Sequence, residues 1–140
     1  MNDEDHVGSA AMPQPATHLG INAGLCGEPV AMADGEATVR LVTTPAMGAD
    51  DHGLVHGGFV FGLADYAAML AVNHPNVVLG SAEVRFLAPV RTGATVLATA
   101  RLQQRDARKH LVDVTAQVDD KEVFRGTFVA FTLDRHVLEG

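Results

Sequence analysis

The chain has 140 residues, enough to bury a real core in one domain and too few for two ordinary ones. Hydrophobic residues make up 47% of it and charged residues 19%, which excludes a disordered chain. Against 17 Asp and Glu stand 10 Lys and Arg, a formal charge of -7, which argues against a nucleic-acid partner, since that needs a basic face.

The first segment, residues 1–15, mixes charges, Gly, Ser and two prolines without an apolar period and reads as a loose leader. Its opening, "MNDEDHVGS", lacks the basic and apolar regions of a secretory signal. No uncharged apolar run reaches the roughly 18 to 20 residues of a membrane span, so a cytoplasmic protein is expected. A single domain then occupies residues 16–140. "THLG" predicts a helical turn closed by Gly20, and "INAGLCGEPVAM" leads through "ADGE" into "ATVRLVTT", a hairpin turning at Asp34 and Gly35. The lone Cys26 offers neither a disulfide nor a metal cluster and reads as a small apolar side chain.

Residues Gly57 to Asn73 form one long apolar helix, which Pro75 stops. "VVLGSAEVRFLAPV", "TGATVLATARLQQ", "KHLVDVTAQVD" and "KEVFRGTFVAFTL" then read as four strands, parted by "RDAR" and "DD" turns. The pattern is a strand hairpin, one helix and four strands. This is an α+β arrangement in which an antiparallel sheet wraps a single central helix. Because that helix is apolar nearly all round, one sheet face leaves part of it uncovered, and a second copy of the chain is expected to cover the rest.

Asp65 sits among Phe59, Val60, Leu63, Ala67, Met69, Leu70 and Val72. A carboxylate there is desolvated, which costs several kcal/mol or raises its pKa, so either a partner satisfies it or the protein uses it. Eight residues earlier lies Gly57, within His56-Gly57-Gly58 at the start of the helix.

"GLVHGGFVFGLADYAAMLAVN" followed by "AEVRFLAPVRTGATVLATARL" resembles the hotdog-fold acyl-CoA thioesterases of the phenylacetyl-CoA thioesterase (PaaI-like) type. The resemblance runs from about His18 to Phe131 and rests on His56-Gly57-Gly58, Leu63-Ala64-Asp65, Phe86-Leu87-Ala88-Pro89 and Gly93. It implies hydrolysis of an acyl-CoA thioester to a free acid and CoA, without a metal or redox cofactor, by a homodimer or a pair of dimers. Gly57 matches the glycine whose N–H polarises the thioester carbonyl. Asp65 matches the acid that activates water or attacks the carbonyl itself.

The chemistry makes the same demand, for a donor aimed at the developing oxyanion and a base or nucleophile near the carbonyl. Gly57 and Gly58 suit the first task, since the first turn of a helix has unpaired N–H groups and glycine lets a ligand approach closely. Along a helix, eight residues span about 12 Å, so Gly57 and Asp65 of one chain cannot both touch one carbonyl carbon. Two antiparallel copies can bring each Gly57 to the other's Asp65, which predicts a site shared across a dimer interface.

Further substrate contacts are expected at Asp50, His56, Gly58, Ser81 and Arg91. Asp50 stands where the family often carries Asn, and an acid cannot donate the amide hydrogen bond. Ser81 is a candidate hydroxyl on the strand facing the site, and Arg91 a candidate contact to CoA phosphate. Arg105, Arg108, Lys109 and His110 concentrate at a hairpin tip, where a solvated cluster is the favoured reading. Asp50, Asp51, His52 and His56 do not match a known metal-binding spacing, so no metal is expected. A non-catalytic acyl-CoA sensor on the same fold is the alternative. Asp65 argues against it, because a binder needs no buried carboxylate beside a thioester. The leader is also too short for the DNA-binding segment of a regulator.

Overall fold

The structure is a computed structural model and describes residues 13–139. A short helix α1 (Ala23–Cys26) precedes the hairpin β1 (Glu28–Ala33) and β2 (Glu36–Val42), with its turn at Asp34 and Gly35 as expected. A 3-10 turn (Pro45–Met47) leads to the long helix α2 (Gly57–Val72). Then come β3 (Val77–Phe86), β4 (Thr95–Asp106), β5 (Lys109–Val118) and β6 (Lys121–Thr132). The strands form one antiparallel sheet in the order β1-β2-β4-β5-β6-β3. β3, though first after the helix, lies at one edge beside β6.

Two local readings are corrected. "THLG" is not a helical turn: His18 has φ 56° and its carbonyl accepts from Ile21, so the segment turns through a left-handed residue. "INAGLCGEPVAM" is not one extended piece, because Asn22 caps α1 by accepting the Gly24 N–H at 2.9 Å and Gly27 ends it. At Gly27, with φ 98°, a Cβ would stand 2.8 Å from the Arg40 carbonyl and 3.0 Å from Leu63, so only glycine lets α1 press against β2 and α2.

α2 lies over β2, β4 and β5. It buries Leu63, Ala67 and Leu70 against a sheet surface that includes Val39, Leu41, Val96, Ala98, Ala100, Val112, Val114 and Ala116. The alanines at the sheet centre let the helix axis come close, and the larger side chains fill the flanks. Asn73 ends the helix in the left-handed conformation, with its N–H bonded to the Met69 carbonyl. Its side chain donates to the Gln14 carbonyl and accepts from Ala16, fastening the start of the domain to the helix end. The rest of the expected leader, residues 1–12, lies outside the described residues.

The helix is not covered all round. Gly58 is exposed and Phe61, Gly62, Asp65 and Val72 are half-buried, all within about 60° of Asp65 on the helical wheel. Between Asp65 and Val72 the same side is closed, with Ala68 and Met69 buried.

Candidate functional site

α2 begins where His56 leaves helical geometry, and its Nδ1 accepts the Gly58 N–H at 2.9 Å. This is an N-cap made by imidazole instead of the usual hydroxyl or carboxylate. It requires Nδ1 to be unprotonated, so neutral His56 carries its proton on Nε2. One expectation is thereby corrected: Gly58 is not a free donor, because its N–H is already engaged. The Gly57 N–H has no acceptor among the described residues.

Gly57 lies in an apolar groove lined by Leu54, Val55, Val60, Val123 and the run Phe86–Val90. Phe86 is its nearest wall, 3.2 Å from where a Cβ on Gly57 would stand. An unpaired donor at the positive end of a helix, facing an apolar groove, is where a developing negative oxygen would be stabilised.

Asp65 lies two turns further on, and its Oδ1 is buried without a hydrogen-bond partner among the described residues. Burial pushes its carboxyl pKa up from 3.8 to about 6. Its charge in turn helps burial raise the Cys26 thiol. A carboxylate in that condition is ionised at neutral pH yet poised to take a proton. Within one chain Asp65 does not line the groove of Gly57.

The other expected residues scatter. Asp50 Oδ1 accepts the N–H groups of His52 and Leu54 at 2.9 and 3.3 Å, tying the loop before the helix in a way that either Asp or Asn could serve. Arg91 is exposed, its carbonyl takes the Thr43 hydroxyl at 3.2 Å, and its side chain has no ion-pair partner among the described residues. Ser81 is misplaced by the sequence reading. A bulge at Gly80 puts it opposite Val129, on the sheet face away from α2, while Leu79 and Ala82 point to the core. His110, expected at the solvated hairpin tip, is buried, with its Nδ1 on the Arg108 carbonyl at 3.1 Å. Arg108 itself pairs with Asp134 at 2.8 Å. His52 and Asp51 lie in the open, 3.4 Å apart. No three His, Cys, Asp or Glu side chains are grouped to hold a metal among the described residues. No described helix is long and apolar enough to cross a membrane.

The apolar groove wall was the part of the site that residue patterns did not deliver. Leu54, Phe86 and Leu87 are large apolar residues left 40%, 55% and 47% exposed around it. "FLAP" carried that signal, but a strand reading of the segment hid it.

Comparison with known proteins agrees with this architecture. The chain is 51% identical over 119 residues to a methylthioribose-1-phosphate isomerase of Aquifex aeolicus, which covers 84% of the chain and 26% of that protein. It is 30% identical over 86 residues to transcription factor FapR of Thermoanaerobacter, covering 61% of the chain and 43% of that protein. It thus spans about a quarter and under half of these relatives. Among solved structures, the uncharacterized protein PH1136 of Pyrococcus horikoshii superposes with a TM-score of 0.90 at 45% identity, over 91% of this chain and 98% of that one. A variant of the phenylacetic acid degradation protein PaaI of Thermus thermophilus gives 0.71 at 32% identity, over 78% and 95%. The model of the thioesterase superfamily matches residues 52–124, more than half the chain, from the loop before α2 to the start of β6. With its one long helix among the described residues packed on an antiparallel sheet, the chain belongs to the thioesterase superfamily as a hotdog-fold, PaaI-like member.

Proposed function

We propose that this protein hydrolyses acyl-CoA thioesters to a free acid and CoA, at a site formed where two copies of the chain meet. The observation that carries the reading is the half-buried Asp65 carboxyl, whose Oδ1 is buried without a hydrogen-bond partner among the described residues and whose pKa is raised to about 6. A purely structural acid would have a donor, since leaving a carboxylate oxygen unsatisfied costs free energy that nothing else in the fold recovers.

In the proposed reaction the Gly57 N–H of one copy holds the thioester oxygen, and Asp65 of the other removes a proton from water as that water attacks the carbonyl carbon. The tetrahedral intermediate collapses with cleavage of the C–S bond. Asp65 returns the proton to the departing sulfur, giving CoA thiol and the carboxylic acid. The free edge of β3 and the uncovered side of α2 support a second copy, because both leave groups unsatisfied in the lone chain. Arg91 is the proposed contact to CoA phosphate, being exposed next in the chain to Val90 of the Gly57 groove, with no ion-pair partner among the described residues.

A non-catalytic acyl-CoA sensor is the second reading, favoured by the 30% identity to a protein named as a transcription factor. Release of free thiol from a panel of acyl-CoAs, followed with a thiol-detecting dye, separates the two. Turnover of any member above the Asp65→Asn background supports the enzyme. Tight binding with no turnover supports the sensor.

A further inference from the structure

The peptide unit that carries the Gly57 N–H is held through His56 at three points. The His56 N–H donates to the carbonyl of buried Met47 at 2.9 Å, its carbonyl accepts the Phe59 N–H at 3.0 Å, and its Nδ1 accepts the Gly58 N–H at 2.9 Å. A trans peptide is planar, with C=O and N–H on opposite sides, so fixing the His56 carbonyl aims the Gly57 N–H away from it. The first two bonds are made by the backbone, which any residue but proline could supply. The third belongs to the imidazole.

The same contact accounts for Gly58. A Cβ there would stand 2.9 Å from Nδ1 and 3.1 Å from Cε1 of His56, so the imidazole can lie over residue 58 only while it is glycine. Glycine inside a helix is less stable than alanine, and the cap offsets that cost. Neither His56 nor Gly58 lines the groove that Gly57 shares with Phe86 and Val90. The His56 ring also has no ion-pair partner among the described residues, so no carboxylate orients it as an acid or base. Its Nδ1 is spent on the helix.

We infer that His56 is a positioning residue for the thioester reaction: through Gly58 it locks the first turn of α2 and so holds the Gly57 N–H aimed at the oxygen that becomes negative. Gly58 is its steric partner. Both act through Gly57 and not as contacts to the substrate. The inference rests on the proposed role of Gly57 and goes beyond it by assigning the other two residues of the His56-Gly57-Gly58 run.

The test compares wild type with His56→Ala, His56→Asn, Gly58→Ala and the double variant His56→Ala/Gly58→Ala on the acyl-CoA that wild type cleaves fastest. Affinity for the matching non-hydrolysable acyl-CoA thioether is measured by calorimetry. A misaimed donor is felt in the transition state more than in the bound ground state, so His56→Ala should lower kcat at least about tenfold while thioether affinity stays within about twofold. His56→Asn, which keeps an acceptor over Gly58, should recover most of the loss. Gly58→Ala pushes the ring aside and should cost as much as His56→Ala, and the double variant no more than either. Unchanged kcat in folded His56→Ala overturns the inference. So does a loss carried by affinity, which would make His56 a substrate contact, and so do additive losses or a folded His56→Asn without recovery. If wild type cleaves no acyl-CoA, the proposed function fails separately, and NMR of glycine-labelled protein decides the role of His56. On addition of the thioether the Gly57 amide resonance should move in wild type and His56→Asn and by less in His56→Ala; an equal move overturns the inference. Circular dichroism establishes that each variant is folded, and the two His56 variants decide the matter should Gly58→Ala misfold.

Discussion

His56 Nδ1 accepts the backbone N–H of Gly58 at 2.9 Å, so the imidazole that caps the helix also removes one of two neighbouring donors. The other, on Gly57, is left facing the apolar groove. Imidazole placement thus decides which glycine can serve a ligand. His56→Ala should lower stability by about 1 kcal/mol through loss of the cap, and His56→Asn, which keeps an acceptor at that position, should restore most of it. Differential scanning calorimetry of the three proteins at pH 7.5 checks this; equal melting temperatures would refute the cap.

Asp65→Asn keeps the shape of the side chain and removes its ability to accept a proton from water. Turnover should fall by at least about a hundredfold, with acyl-CoA affinity largely kept. Steady-state kinetics and calorimetric titration of the folded variant measure the two separately. A near-normal kcat would remove Asp65 from the mechanism.

Titration of the same group gives kcat/KM a specific pH dependence. As the proposed base, Asp65 acts as the carboxylate, so activity should rise with pH through an acid limb near 6, the value to which burial raises it. A limb near 4 would mean that Asp65 is solvated when it acts.

Stability should move the opposite way. Because its folded pKa is above that of the unfolded chain, Asp65 binds its proton more tightly when folded, and stability falls as pH rises from about 4 through about 6. A rise from 3.8 to about 6 corresponds to about 3 kcal/mol at most. Asp65→Asn, uncharged throughout, should therefore melt higher than wild type above pH 6 and lose that advantage near pH 4. Thermal melts across that range decide it, and a variant less stable at pH 8 would contradict the unpaired state of the carboxylate.

Sharing of the site between copies is tested by mixing two variants that should each be inactive alone. Gly57→Pro removes the N–H while suiting the first helical turn, and His56, with ψ 131°, already has the extended backbone that precedes proline. Mixed with Asp65→Asn, it should give heterodimers in which one site carries both intact groups. Random reassortment makes half of the dimers mixed with one good site in each, so recovery should approach roughly a quarter of wild type. Native mass spectrometry of tagged chains establishes exchange; silence despite demonstrated heterodimers would place donor and acid in one chain.

Much of the fold was legible in the residues. The apolar run from Gly57, the Pro75 stop and the Val- and Thr-rich strands mark one helix and a sheet because local periodicity and backbone restriction act over a few neighbours at a time. The 140-residue length and the absence of any second apolar helix of comparable length leave one way to cover the sheet. Asp65 could likewise be singled out from sequence alone, since a charge amid apolar residues is desolvated wherever the helix packs.

Tertiary structure decided what depends on register and on which neighbour arrives first. One bulge at Gly80 shifts the face of every later residue of β3, which turns Ser81 away from the helix and leaves Leu79 and Ala82 inside. His110 belongs to a charged stretch in sequence, yet alternation along β5 points it into the interior. Gly57 and Gly58 are equivalent as letters, and only the orientation of the His56 ring separates an engaged N–H from a free one. Periodicity depends on spacing along the chain and can be read from it; these three outcomes depend on contacts between atoms that the chain order does not hold together.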